Sequence, residues 1–272
     1  MESDGTTTSA ADQLRSAERL RQHVERSGPT RASAVLQLWG AIVLPIYVGV
    51  FLLSFGPRMS ELTTLLLFPV LLFSSLVSGA RDRFGIRTRP RGGSWVAQLS
   101  VVAAFLVLLA LRIGGVSYPW WIDVLVVAAM FVTLAIGPVR QLLAARGGGT
   151  TRWSSRPLDP PARGLTVAIG IASGLLVASA TEPWNSLVAV VIMLALIVAL
   201  VLWRTRWGLP RTGFEWGPLH WAAFGVIMTA MFVLTALLSL TEWITALVTV
   251  TAGILIAAIM TTVAFLPRDR RG

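Results

Sequence analysis

The chain is 272 residues long, 55% hydrophobic and only 13% charged. So few charges cannot cover a water-soluble domain of this size, which excludes that class. The net charge of +10 comes entirely from arginine, with no lysine and no cysteine, so disulfides, thiolate metal sites and lysine-dependent phosphate loops are excluded too.

Residues 1–33 are polar. Ala10, Leu14, Ala17, Leu20 and Val24 recur at helical spacing between Ser9 and Gly28-Pro29. The pattern predicts a short amphipathic helix in a cytoplasmic N-terminal segment. No early apolar core precedes it, so no cleavable signal peptide is expected.

A bilayer core needs roughly 20 apolar residues per helix. Stretches meeting that need run over 34–55, 62–80, 95–113, 122–142, 164–180, 186–203, 221–240 and 244–265. The stretch at 164–180 is the weakest, being short and holding Gly164, Gly170 and Gly174. The expected fold class is an all-α integral membrane protein. Its eight transmembrane helices would form four tandem hairpins, with N- and C-termini cytoplasmic. A first four-helix half, 34–142, and a second, 164–265, flank a basic cytoplasmic linker, 143–163, and a basic tail follows at 266–272.

The connections alternate between short and basic. Of the 23 basic residues, all but Arg58 and Arg112 fall in segments that this topology puts on one side. That is the bias expected of cytoplasmic loops. Trp120, Trp121, Trp184 and Trp243 mark the other ends of the spans, as an interfacial aromatic belt would. Arginine in place of lysine fits GC-rich coding and a bacterial plasma membrane. Each short outer turn carries one acid, Glu61, Asp123, Glu182 or Glu242, recurring roughly every 60 residues as a hairpin repeat would.

Chemistry is sparse. The spans hold no Asp, Glu, Arg or His near their middles, where such residues usually mark proton or ion paths. Ser74, Ser75, Ser78, Thr229, Thr235, Thr249 and Thr251 are expected to bond their own helix carbonyls. Pro45, Pro69 and Pro138 lie within spans and each removes a backbone bond. Gly170 and Gly174 form a G-x-x-x-G match that suits close helix packing, within the monomer or in a dimer. Glu61, Asp123, Glu182 and Glu242 are candidate outer-face acids, read as solvated turn charges or as a converging cation site. Trp203, Arg204, Arg206, Trp207, Arg211 and Trp216 are candidate lipid or partner contacts at the inner face, where basic and aromatic side chains meet headgroups. No paired carboxylates are expected at that face.

No catalytic, cofactor or metal set emerges, and none is expected. The partners expected are a bilayer with anionic headgroups and a cytoplasmic or membrane protein; nucleic acid is not. The leading functional expectation is a non-enzymatic accessory, scaffold or regulatory subunit of a membrane complex. The alternative is a small transporter or flippase-like permease for an apolar or amphiphilic substrate, and an integral membrane enzyme ranks third.

Overall fold

The computed structural model describes residues 31–55, 59–83, 94–144 and 157–266. The amphipathic helix expected before residue 31, most of the first two basic loops and the tail lie outside the described residues. Among the described residues the chain is all-α, with nine α-helices. They are α1 (Arg31–Leu53), α2 (Met59–Arg83), α3 (Ser94–Ile113), α4 (Trp121–Ala144) and α5 (Pro160–Ala178). Then come α6 (Asn185–Val201), α7 (Leu209–Glu215), α8 (Pro218–Leu240) and α9 (Ala246–Phe265), with a 3-10 turn at Leu202–Arg204.

Six of these helices, α1, α2, α4, α5, α8 and α9, are long and apolar enough to cross a membrane. The expectation of eight crossings in four hairpins is therefore corrected. The apolar part of α3 is Gln98–Ile113, and α6 is Asn185–Val201. At 1.5 Å per residue these apolar stretches rise about 24–26 Å, short of a hydrocarbon core of about 30 Å. The short stretch at 164–180 is among the six instead, because its helix begins earlier, at Pro160. Proline in a first turn removes an N–H that has no helical partner anyway.

Pairing also departs from hairpins. α1 packs along α4, and α5 along α9, whereas the sequential neighbours α1–α2 and α5–α6 touch only slightly. α2 and α8 meet at the centre and carry much of the core, including Leu65, Leu66, Leu72, Phe224, Met228 and Phe232. A smaller cluster unites α1, α3 and α4 through Val48, Leu52, Val101, Leu108, Val126 and Met130.

In lipid there is little hydrophobic gain from joining apolar helices, so close packing selects the partners. The α5–α9 seam shows this best. A methyl group added at Gly174 would stand 2.5 Å from the Gly253 carbonyl oxygen and 3.0 Å from Ala257 Cβ. Gly170 lies in the same seam, against Met260. The G-x-x-x-G pair thus packs within the monomer.

Mid-helix hydroxyls are satisfied locally. Ser74 and Ser75 donate to the Leu71 carbonyl, Ser78 to Ser75, Thr229 to Gly225, Thr235 to Met231, Thr249 to Ala246 and Thr251 to Leu247. α1, α2 and α4 run on through Pro45, Pro69 and Pro138.

Gly174→Ala is expected to destabilise the bundle by about 1–3 kcal/mol, because backbone rather than a flexible side chain must yield. Gly164→Ala, whose added methyl would meet only Trp207 at 3.6 Å, should be neutral or stabilising by up to about 1 kcal/mol. Thermal unfolding of the two variants in one detergent checks the contrast.

Candidate functional site

The two ends of the bundle differ in chemistry. One carries the α3–α4 and α5–α6 turns, the start of α2 and the α8–α9 connection. The other carries Arg83, the start of α5 and the stretch from Trp203 to His220.

At the first end a half-open cavity of 1080 Å³ lies between α2, the α5–α6 turn, α6 and the end of α8. Its lining is mixed: Leu62, Ala189, Met193, Leu238 and Ile244 are apolar, while Thr64, Ser186, Thr241, Asn185, Glu182 and Glu242 make it nearly as polar. The turn that presents Glu182 is tightly bonded. The Glu182 N–H donates to the Ser179 carbonyl at 2.8 Å, and the Asn185 N–H donates to the Glu182 carbonyl at 3.1 Å. Ser179 Oγ also donates to Asn185 Oδ1 at 3.1 Å. Hydroxyl pairs tie the neighbouring helix ends, Ser54 with Ser239 at 3.1 Å and Thr181 with Thr249 at 3.2 Å.

The structure therefore divides the four candidate acids. Glu182 and Glu242 share one cleft. Glu61 falls in the first turn of α2, and its side chain is outside the description. Asp123 is neither solvated nor part of the cleft. Its side chain is only 3% exposed and is paired with Arg112 at 2.7 Å.

The pairing follows from local geometry. α3 ends with Gly115 at φ 71°, and the Val116 and Gly115 N–H groups return to the Leu111 and Arg112 carbonyls. A glycine in the left-handed region makes this helix stop. The turned chain brings Tyr118 and the first turn of α4 over the Arg112 side chain. Arg112 Nε donates to the Tyr118 hydroxyl at 2.9 Å, and that hydroxyl donates to Asp123 Oδ1 at 2.9 Å. The guanidinium also sits 4.9 Å from the Tyr118 ring centroid. Burial pushes the phenol above its ordinary pKa; the Arg112 hydrogen bond opposes that rise and the Asp123 hydrogen bond adds to it.

The second end is built around α7, where a loop was expected. Gly208 precedes the helix and Pro210 occupies its first turn. Methyl groups at Gly79 or Gly213 would collide with the backbone at Pro210 or Leu76, so α7 lies backbone to backbone against α2. Arg83 Nη1 donates to the Phe214 carbonyl at 2.8 Å and holds the end of the short helix. Arg211 Nε donates to Glu215 Oε1 at 3.0 Å and its Nη2 lies 3.6 Å from Asp159 Oδ2. The Asp159 N–H donates to Glu215 Oε2 at 3.0 Å, linking α7 to the start of α5. So two carboxylates do pair here, about one arginine, contrary to expectation. Their positions, 56 residues apart in sequence, carried no local signal of proximity.

The candidate inner-face residues separate as well. Trp203, Arg206 and Trp207 are exposed, and the side chain of Arg204 is outside the description. Arg211 is half exposed but bonded as above. Trp216 is fully buried; its Nε1 donates to Thr166 Oγ1 at 2.9 Å, and its ring stacks on His220 and meets Trp221 and Phe224 edge-on. Trp216 is thus a core residue sealing the centre of this end.

Among the described residues no group of three or more His, Cys, Asp or Glu side chains could hold a metal ion. Helix length, apolar surface and the segregation of charge to the ends define a multi-pass all-α membrane protein without an obvious metal or cysteine motif. No protein-family model, curated protein or solved structure matches the chain.

Removing one partner of a buried ion pair leaves an uncompensated charge, whereas removing both does not. Asp123→Ala is expected to cost about 2–3 kcal/mol, given that Arg112 keeps some solvent contact. The pair Arg112→Met with Asp123→Leu should cost much less than Asp123→Ala alone. Unfolding midpoints of the set, compared as a double-mutant cycle, measure the coupling.

Proposed function

We propose that this chain is a non-enzymatic carrier of the plasma membrane, a small permease or flippase-like protein for an amphiphilic molecule. The carrying observation is the 1080 Å³ cleft at one end of the bundle, lined by apolar side chains and by nearly as much polar surface, with Glu182 and Glu242 among the lining residues. A concave site that joins apolar surface to polar groups suits a molecule that is itself part apolar and part polar. The opposite end is plugged by α7 and the buried Trp216 cluster. A bundle open at one end and plugged at the other has the asymmetry of one state of a carrier.

In this reading the arginine-rich end faces the cytoplasm of a bacterial cell. The support is the bias of arginine to that end. Exposed Trp203, Arg206 and Trp207 then meet anionic headgroups, where an aromatic ring and a guanidinium both gain.

A second reading is an accessory subunit of a membrane complex. One observation favours it: α6 is short, at 17 residues, and richly apolar on its exposed side, as at Val191 and Leu194. A helix shorter than the bilayer core is relieved by association with a neighbour or by local thinning.

Liposomes holding this chain alone should move a fluorescent amphiphile faster than empty liposomes, and Ser186→Trp, which crowds the cleft mouth, should abolish the gain. Vesicles that stay inert across a panel of lipids and amphiphiles would remove the carrier reading. A stable partner co-purified in gentle detergent from the same membranes would then favour the accessory one. For orientation, a membrane-impermeant maleimide applied to intact cells should label a single cysteine at position 182 but not at 206. The reverse pattern would invert the topology.

A further inference from the structure

We infer that the arginine-rich end holds one anionic phospholipid of the adjoining leaflet, its phosphate on Arg163 between Trp207 and Phe265 and an acyl chain along the exposed face of α5. The site stands apart from the carrier reading and holds for either orientation in the membrane.

Three observations carry it. First, Arg163 is a cation without an anion. Arg83, Arg112 and Arg211 are each answered by a carbonyl or a carboxylate. The Arg163 side chain is half-buried, and its only hydrogen bond among the described residues is a long one, 3.4 Å from Nη2 to the Leu158 carbonyl. Its Nε is buried with no partner. Asp159, one turn earlier, lies against Arg211 instead. A half-buried charge left unpaired is costly, and a guanidinium presents a planar fork of donors that fits a phosphate.

Second, the guanidinium is held in place at headgroup depth. It lies 5.4 Å from the Phe265 ring centroid. Phe265 is the last residue of α9 and Arg163 the fourth of α5. Both helices are long and apolar enough to cross, so the two side chains sit where hydrocarbon gives way to headgroups. Trp207 covers the next position on α5: a methyl group added at Gly164 would stand 3.6 Å from its ring. Trp207 and Phe265 are 56% and 63% exposed, and Arg206 is exposed beside them in sequence. Indole and arginine at this level both favour anionic headgroups.

Third, the surface leading away from the site suits a hydrocarbon chain. Gly164, Ala168, Ile171 and Leu175 follow one another at helical spacing and are all exposed. They form an uncharged stripe on a crossing helix, running from Trp207 into the membrane. The first two are small and leave a shallow track next to the indole.

The test uses the full chain in detergent. Phosphatidylglycerol is titrated in, with phosphatidylcholine of the same acyl chains in parallel, and the first bound lipid is followed by native mass spectrometry. Inorganic phosphate is added as a competitor. The variants are Arg163→Gln, Trp207→Ala and Arg140→Gln, the last removing an exposed arginine near the end of α4.

Phosphatidylglycerol should bind saturably and more tightly than phosphatidylcholine. Arg163→Gln is expected to weaken it about tenfold, as loss of a hydrogen bond to a charged group would, and Trp207→Ala should weaken it too. Arg140→Gln should change it by less than about twofold, as for a solvated surface charge. Without lipid, Arg163→Gln should unfold at the same midpoint as the parent, since no ion pair is lost, while its stabilisation by added phosphatidylglycerol shrinks. A lowered midpoint with unchanged lipid affinity would make Arg163 a structural residue and overturn the inference. Equal losses in Arg163→Gln and Arg140→Gln, or equal binding of the two lipids, would overturn it as well. Displacement of the lipid by inorganic phosphate at matching concentration would assign a free anion and sink the lipid site.

Discussion

The middle of the bundle is held together without charge, and this constraint arranges everything else. An ionised side chain in the hydrocarbon costs several kcal/mol on insertion, so the polar work is done by hydroxyls that return to their own helix. Seven serine and threonine side chains do so in α2, α8 and α9. A hydroxyl so satisfied adds little directional bonding between helices, and of these seven Thr249 also meets Thr181. Helix choice is left to shape, and backbones approach closely where small residues meet, as at Gly174 and Gly253 between α5 and α9 and at Gly79 and Gly213 between α2 and α7. Charged contacts are expelled to the two ends, where they do different work. At one end Arg83, Arg211, Asp159 and Glu215 bind α7 across helices from distant parts of the chain. At the other, two glutamates stand at an open cleft.

The same constraint explains what sequence reading recovers. Apolar length and the absence of ionisable residues in mid-span are composition, visible residue by residue, and so are the hydroxyls, whose partners lie one turn away. Pairing is not. Hairpin rhythm places consecutive helices side by side, yet α1 chose α4 and α5 chose α9, because lipid-facing helices associate by fit rather than by adjacency. The rhythm also overstated length, since α6 stops at Val201 and turns into a 3-10 coil before Trp203.

Within the candidate sites the errors share a cause. A tryptophan near a run of arginines reads as interfacial, and Trp203 and Trp207 are indeed exposed. Trp216 has the same sequence neighbourhood but is buried, because Gly208 and Pro210 start a helix that folds it back beneath Thr166. The only local sign was that glycine and proline pair. For the acids, position in a turn said nothing about partner. Asp123 is answered by an arginine on the preceding helix, and that answer depends on Gly115 adopting φ 71°.

These two fates of a turn acid bear on the cleft. A carboxylate that closes a turn can be neutralised where it stands, as Asp123 is, and then contributes only to the hairpin. Glu182 is held by its backbone instead: its N–H and carbonyl are both bonded in the turn, which leaves the carboxylate out of the turn's own bonding. The residues that fix this turn, Ser179 and Asn185, bond each other. The scaffold is thereby rigid without using the charge. A fixed charge at the rim of a partly apolar cavity is a poor way to stabilise a fold, since it adds desolvation and no partner. It is a good way to orient an amphiphile, whose tail gains from the walls and whose head then falls against the carboxylate. In the carrier proposed above, that carboxylate serves the ligand rather than the fold.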